Sequence, residues 1–119
     1  MNLLDYLGIR TTHITPESVT LTMPVRNEHK QPFGLLHGGL NGVLIETACS
    51  MGANQHLPAH CTYSVGIDLN VNHLRSVSDG DVTVIATPIH IGKTTQVWEA
   101  SVFHKDIQTS VGRCTLLNQ

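Results

Sequence analysis

The 119-residue chain has little charge and no long apolar run. Charged residues make up 13% of it, and the formal net charge is −2 at pH 7, whereas typical soluble domains are about 25% charged. So little charged surface fits a protein that covers part of itself with other copies. The slight negative charge excludes the basic face that nucleic-acid binding requires. Because both an apolar run of about 18 residues and a basic leader are absent, we expect a cytoplasmic protein without a membrane span.

Paired cysteines and zinc-type ligand pairs are also missing. The cysteines, Cys49, Cys61 and Cys114, are odd in number and lack paired spacing, so we expect reduced, mostly buried thiols. Among the eight histidines, His56 and His60 with the adjoining Cys61 form the best candidate metal cluster. No second ligand pair of zinc-site spacing accompanies it, so we expect neither a metal nor a resident cofactor.

Hydrophobic periodicity predicts one long helix and six strands in a single domain, residues 1–119. The helix lies in QPFGLLHGGLNGVLIETACS, Gln31 to Ser50, and a short helix, Asn2 to Leu7, ends at Gly8. The predicted strands are Ile9–Ile14, Ser18–Val25, Thr62–Leu74, Asp81–Ile91, Thr94–His104 and Ile107–Leu117. A curved antiparallel sheet wrapped around one buried helix covers these apolar faces economically, which is an α+β architecture.

The long helix has no solvated face. At about 100° per residue its larger side chains form one stripe, made of Leu40, Val43, Leu44, Thr47, Ala48 and Met51. The opposite side carries Gly42, Ile45, Cys49 and Ala53, and no Lys or Arg occurs between His37 and His56. A helix that is apolar or small all round is buried on more than one side, so we expect both a sheet and a second element, or a second copy, to cover it.

Glu46 is the lone acid of this helix. Desolvation disfavours an ionised carboxylate and raises its pKa, and such a group suits a nucleophile or a general base. Ser50 lies one turn further on the same face, so its hydroxyl could reach Glu46 or a water beside it. From the helix alone, a structural glutamate bonded to a backbone amide is an equally good interpretation.

The His37-Gly38-Gly39 turn opens the helix. Its uncovered N–H groups and the positive end of the helix dipole could hold a developing oxyanion, although for so short a motif alone an ordinary glycine turn is the better explanation. His37 and Glu46 are nine residues apart, about half a turn out of phase on a helix. If both are catalytic, Glu46 therefore works with the turn of a neighbouring subunit.

Alternation along Thr62–Leu74 predicts that Val65, Ile67, Leu69 and Val71 share one face of that strand. The other face would then carry Gly66, Asp68, Asn70 and Asn72. Taken by itself, the polar run Asn70 to His73 is better explained as a solvated strand face than as a binding site.

Three blocks in this order resemble the hotdog-fold acyl-CoA thioesterases related to 4-hydroxybenzoyl-CoA and phenylacetyl-CoA thioesterases. They are QPFGLLHGG followed by Glu46 and Ser50, GIDLNVNHLRS from Gly66 to Ser76, and HIGKTTQVWE from His90 to Glu99. Within that group the chain is most similar to the 1,4-dihydroxy-2-naphthoyl-CoA hydrolases of menaquinone synthesis. The likeness covers nearly the whole chain.

The resemblance implies a role for each matching residue. Glu46 would be the nucleophile or the base, assisted by Ser50, and the Gly38 amide would polarise the thioester carbonyl, while Gln31 and His37 orient the reactants. Glu46 and Ser50 would come from one subunit and the others from its partner, in dimers that pair into tetramers. Substrate and CoA would lie against Gly66, His73, Leu74, Arg75, Ser76, His90, Ile91, Gly92, Lys93, Thr94 and Thr95, with Arg75 and Lys93 on the phosphates.

The activity implied is hydrolysis of an aromatic acyl-CoA, such as 1,4-dihydroxy-2-naphthoyl-CoA, or of a medium-chain acyl-CoA. Coenzyme A is then part of the substrate and a product, not a cofactor. The alternatives are a thioesterase acting on acyl carrier protein and a non-catalytic hotdog domain that binds acyl-CoA. An α/β-hydrolase is excluded, because the chain is too short and lacks the G-x-S-x-G motif.

Overall fold

The computed structural model describes all 119 residues. In chain order the elements are α1 (Leu3–Leu7), β1 (Arg10–Thr15), β2 (Ser18–Pro24), a 3₁₀ turn (Asn27–His29), α2 (Gly38–Ala53), β3 (Ser64–His73), β4 (Asp81–Ile91), β5 (Thr95–His104) and β6 (Ile107–Asn118). The strands form one antiparallel sheet in the order β1-β2-β4-β5-β6-β3. The predicted strands agree with these bounds to within two residues. Neither helix is long and apolar enough to span a bilayer.

Small side chains bring α2 close to the concave face of the sheet. Its buried residues are Asn41, Gly42, Leu44, Ile45, Ala48, Cys49, Gly52 and Ala53. A Cβ added to Gly52 would lie 2.6 Å from Cη2 of the fully buried Trp98 on β5, and one added to Gly112 on β6 would lie 3.1 Å from Cδ1 of Ile45. Helix and sheet could not pack at this distance with larger residues at these positions.

Only part of the stripe of larger side chains predicted on α2 meets the sheet, since Leu44 and Ala48 are fully buried in the core. Val43, Thr47 and Met51 are half-buried, and they line a hollow together with Leu3 and Leu4 of α1. The buried face lies between the stripe and the opposite side of the helix and includes Leu44, Ile45, Ala48, Cys49 and Gly52, because small residues allow closer contact there. The sheet covers one side of the helix as expected, and coverage of the other side by a second copy stays a prediction.

The alternation predicted for β3 is wrong in its first half. Gly66 pairs with Leu116, yet Asp68 pairs with the next residue, Thr115, so Ile67 is an extra residue in a β-bulge. The bulge moves Gly66 to the face of the strand that Leu69 and Val71 share. This face is directed toward α2. A Cβ on Gly66 would overlap the Glu46 carboxylate, so this glycine leaves room for that side chain.

Two glycines of α2 give a matched test of the packing. We expect Gly42→Ala to raise the free energy of unfolding by about 1 kcal/mol, because alanine favours the helix and its Cβ would make only an ordinary 3.5 Å contact with Leu69. Gly52→Ala should lower it by about 1–3 kcal/mol through overpacking against Trp98. Urea unfolding of both variants measures the difference, and equal gains would contradict the close helix–sheet contact.

Candidate active site

Glu46 is half-buried on α2 and has no polar partner in the chain. Its carboxylate lies against Gly66 and opens into a hollow of about 350 Å³ that Ser50 also lines. No hydrogen bond joins Glu46 to the Ser50 hydroxyl, but both side chains line the same hollow, as their spacing on the helix predicted. A structural glutamate would be bonded to a backbone amide or paired with a cation, and neither is present here. The carboxylate is therefore free to act on another molecule.

A second cavity, of about 330 Å³, lies at the N-terminal end of α2. Six of its lining residues were predicted from the sequence, namely Gln31, Gly38, His73, Leu74, Arg75 and Ser76. The others are Leu35, Leu36, Asn41 and Val77. The loop before α2 and the end of β3 thus converge as the resemblance implied. Asn41 was missed, because one polar residue on a buried helix face carries no motif.

The groups around this second cavity are chiefly hydrogen-bond donors. The Gln31 Oε1 accepts from the N–H of Phe33 at 2.5 Å and from that of Leu35 at 3.4 Å, which leaves its Nε2–H groups available. The Gly38 N–H begins α2 and has no helical partner. Arg75 adds a guanidinium. Such a set suits an electron-rich oxygen, as in a thioester carbonyl or a phosphate.

His37 lines neither cavity. It is the N-cap of α2, and its Nδ1 accepts from the Gly39 N–H at 2.8 Å. The proton of the neutral ring is therefore on Nε2, and this nitrogen belongs to an exposed side chain. The geometry gives His37 a clear structural role at the start of the helix and leaves its Nε2–H free to meet another molecule.

The turn between β4 and β5 lies at the other end of α2. The Asn118 Nδ2 donates to the carbonyls of Gly92 and Lys93 at 3.2 and 3.0 Å, and Gln96 Nε2 donates to Ala53 O at 3.0 Å and to Asn118 Oδ1 at 3.1 Å. These buried amides fix the turn against the C-terminal end of the helix. Sequence patterns missed both, since each reads as one polar residue in an alternating strand.

This position separates two sets of residues predicted to form one groove. His90, Ile91, Gly92, Lys93, Thr94 and Thr95 belong to the turn at the C-terminal end of α2 and line neither of the two hollows. The run His73 to Ser76 lies at the N-terminal end. Within one chain these sets do not meet, so a groove built from both requires residues of a second copy.

The site is thus divided into two parts. We call Glu46, Ser50 and Gly66 the carboxylate half-site, and Gln31, Gly38, His73, Arg75 and Ser76 the donor half-site. They adjoin opposite ends of β3, because Gly66 is near its start and His73 is its last residue. The sequence argument that His37 and Glu46 are out of phase leads to the same division.

Comparison with known proteins identifies the family of the chain. The family model described as the thioesterase superfamily matches residues 33–111, which span α2 and most of the sheet. The chain belongs to the thioesterase superfamily.

Individual relatives support the same assignment of this thioesterase. The 1,4-dihydroxy-2-naphthoyl-CoA hydrolase of Escherichia coli is 40% identical over 106 residues, covering 86% of this chain and 74% of that protein. The enzyme of the same name from Listeria monocytogenes is 37% identical over 118 residues, covering 98% and 94%. The solved structure of a Haemophilus influenzae thioesterase superposes with a TM-score of 0.91 at 38% identity, covering 98% and 81%. The predicted hotdog fold and thioester hydrolase activity are confirmed at the level of the family.

No cluster of metal ligands forms in the thioesterase. No three His, Cys, Asp or Glu side chains converge. His56 places Nε2 2.5 Å from the Pro16 carbonyl oxygen and packs its ring 5.8 Å from that of Trp98. The absence of a metal from the reaction stays a prediction.

Two thiols lie in the core near Glu46. Burial, then the nearby Cys114, then Glu46 and Glu99, raise the pKa of Cys49 far above its ordinary value. Burial, then Glu46 and Asp68, raise the pKa of Cys114 to about 12. Both thiols therefore stay neutral at physiological pH and add no charge beneath the carboxylate. All three cysteines are free, in agreement with the sequence.

The raised thiol pKa values predict a loss of stability in alkali. Above a pH of about 9 the unfolded chain releases these protons while the folded chain keeps them, so the free energy of unfolding falls by about 1.4 kcal/mol per pH unit for each thiol. The loss continues until the folded thiols themselves titrate. Urea unfolding between about pH 8 and about pH 10 measures it. Cys114→Ala should remove about half of the fall, whereas Cys61→Ala, outside the pair, should leave it unchanged; equal slopes in all three proteins would contradict the assignment.

Proposed function

We propose that this thioesterase hydrolyses an acyl-CoA, with 1,4-dihydroxy-2-naphthoyl-CoA or a related aromatic thioester as first candidate, at a site shared by two subunits. The observation that carries the proposal is the Glu46 carboxylate, half-buried, unpaired and given room by Gly66. Two relatives named as 1,4-dihydroxy-2-naphthoyl-CoA hydrolases support the acyl group. A medium-chain acyl-CoA is the second candidate.

The donor half-site would hold the thioester carbonyl. The Gly38 N–H, at the positive end of α2, and the free Gln31 Nε2–H are placed to bind the oxygen as it gains negative charge. His37 would orient the reactants from the start of the helix, and Ser50 would hold a water or the carboxylate. These assignments rest on the resemblance together with the donors that the geometry leaves available.

Glu46 would then act from the partner subunit by one of two routes. As a general base it removes a proton from water, the hydroxide adds to the carbonyl carbon, and the C–S bond breaks to release CoA thiolate. As a nucleophile its oxygen adds to the carbonyl carbon, the C–S bond breaks to release CoA thiolate, and water then hydrolyses the anhydride formed between Glu46 and the acyl group. A single turnover in isotopically labelled water separates them, since only the anhydride route can leave the label on Glu46.

An antiparallel pairing of two β3 strands would unite the half-sites. One edge of β3 pairs with β6 and the other is free, while Ile67 and Leu69 are 56% and 36% exposed. An open edge of this length readily pairs with another strand. Gly66 and His73 are about 23 Å apart along β3 at about 3.3 Å per residue, and antiparallel pairing places the end of one strand beside the start of the other. The carboxylate half-site of each copy would then lie beside the donor half-site of the other copy.

The same pairing would assemble the CoA groove. It brings the turn from His90 to Thr95 of one copy toward the run His73 to Ser76 of the other, so that Lys93 and Arg75 could bind CoA phosphates together. Pairing of two dimers into a tetramer stays a proposal from the resemblance. We also propose a cytoplasmic protein without a cofactor, which fits three free thiols and a CoA substrate.

Release of free thiol from a panel of substrates tests the function. The panel contains 1,4-dihydroxy-2-naphthoyl-CoA or a stable aryl analogue, benzoyl-CoA, a medium-chain acyl-CoA and an acyl carrier protein thioester. Glu46→Gln should lower kcat by at least about a hundredfold, because a positioned general base contributes about 10²–10⁴. Glu99→Gln, on the exposed face of β5, is the matched control and should keep wild-type rates.

Each outcome has a distinct meaning. Fastest turnover of the aryl thioester supports the proposed acyl group, and fastest turnover of the carrier-protein thioester would replace CoA by that carrier. Binding without turnover in wild type would leave a non-catalytic acyl-CoA protein. Equal turnover by wild type and Glu46→Gln would place the chemistry on another residue.

Gly66→Ala tests the space reserved for the carboxylate. The new Cβ overlaps Glu46, so we expect kcat to fall about a hundredfold through displacement of that side chain. Unfolding in urea should still be cooperative, because the atoms nearest the added methyl group all belong to the Glu46 side chain, which can turn away. Asn70→Ala, on the outer face of the same strand, should leave kcat unchanged. Wild-type kcat in folded Gly66→Ala would contradict the proposed position of Glu46.

A further inference from the structure

Asn41 is a buried polar residue with a single polar contact. It is 6% exposed and lies one turn after Gly38 on α2. It lines the second cavity, which contains the donor half-site. Its Nδ2 is 3.4 Å from Nδ1 of His73, while its Oδ1 is buried without a partner. If this position needed only to be filled, an apolar side chain would fill it without the free-energy cost of a buried, unpaired carbonyl oxygen. The contact with His73 therefore needs a reason.

The His73 ring has its protein partners at Nδ1, and its Nε2 is directed toward Gly38. Its Nδ1 also lies 3.0 Å from the Ser110 Oγ, so both protein partners meet the same nitrogen. Its Nε2 faces Gly38, where an added Cβ would lie 2.7 Å away. The free nitrogen of the ring is thus directed at the start of α2, beside the amide that is proposed to bind the thioester oxygen.

The chemistry of these partners selects one tautomer. The Ser110 hydroxyl can donate or accept, so it sets no preference, whereas an amide NH₂ can only donate. Donation from Asn41 requires Nδ1 to be an acceptor, and the proton of the neutral ring is then on Nε2. No carboxylate lines the cavity to accept from an Nδ1–H, and the only charged side chain that lines it is the cationic Arg75.

We propose that Asn41 is a positioning residue that holds neutral His73 in its Nε2–H tautomer, so that His73 adds an N–H donor to those of Gly38 and Gln31. The proposal deepens the proposed function and rests on it for the identity of the acceptor, the thioester oxygen. Asn41 acts through the orientation and the proton of the His73 ring, which lies 32 residues later in the chain at the end of β3.

Nitrogen NMR of protein labelled in histidine reads the tautomer directly. In wild type, above the titration of the ring, we expect the Nδ1 of His73 to have the chemical shift of an unprotonated nitrogen and Nε2 that of a protonated one. His73→Asn identifies the signals among the eight histidines. Asn41→Leu, similar in volume but without a donor, should give a mixture of tautomers. Asn41→Asp, similar in shape but able only to accept, should shift the ring to Nδ1–H.

Kinetics of the same variants then test the donor. Removal of one oxyanion donor lowers kcat by about 10²–10³, so Asn41→Asp should lose about a hundredfold in kcat with little change in KM, and Asn41→Leu should lose less. A residue that merely filled space would move folding stability but not the ring proton. Ser110→Ala should keep the Nε2–H tautomer, because Asn41 alone determines it.

Two results overturn the proposal outright. One is an Nδ1–H ring in wild type, which would place the amide of Asn41 in the opposite orientation. The other is an unchanged tautomer in both Asn41 variants. A shifted tautomer with wild-type kcat overturns the role of His73 as a donor. If wild type turns over none of the thioesters, the proposed function fails, and the NMR result still decides whether Asn41 sets the ring proton.

Discussion

Close contact between α2 and the sheet is the constraint on which the rest of the structure depends. It exists because the positions where helix and strands meet carry little or no side chain, as at Gly52 against Trp98 and at Gly112 against Ile45. Two further glycines, one in each half-site, likewise leave space for a neighbouring side chain. Gly66 leaves room for the Glu46 carboxylate, and Gly38 leaves room for the His73 ring. One packing solution thus supports the fold and places two polar groups where they can react.

Helix length then decides how the site can be built. Gly38 and Glu46 are eight residues apart on one rigid helix, about 12 Å along its axis, and they open into different hollows. No local rearrangement of side chains could bring them together on a single thioester. A second copy solves this problem without any change of fold, because antiparallel pairing exchanges the two ends of β3. In this account, hydrolysis is a property of the dimer, while each chain supplies two incomplete halves.

Much of this was accessible from sequence because it depends on neighbours in the chain. Strand bounds follow period-two patterning, and the half-turn phase between His37 and Glu46 divides the site before any coordinates are known. The predictions were wrong where contacts between residues distant in the chain determine the structure. The bulge at Ile67 is fixed by pairing with β6, and the face of α2 that meets the sheet is fixed by Trp98 and Gly112. Asn41 meets His73 32 residues later, and no local pattern encodes that contact.

Complementation between two inactive variants tests the shared site most directly. Glu46→Gln and Gln31→Ala would each be purified inactive, then mixed in equal amounts under conditions that exchange subunits. If half-sites come from different chains, each mixed dimer regains one intact site, and statistical mixing restores about a quarter of the wild-type sites. Recovery near that level is the predicted result. Full subunit exchange, verified by mass spectrometry, with no recovery of turnover would contradict the account.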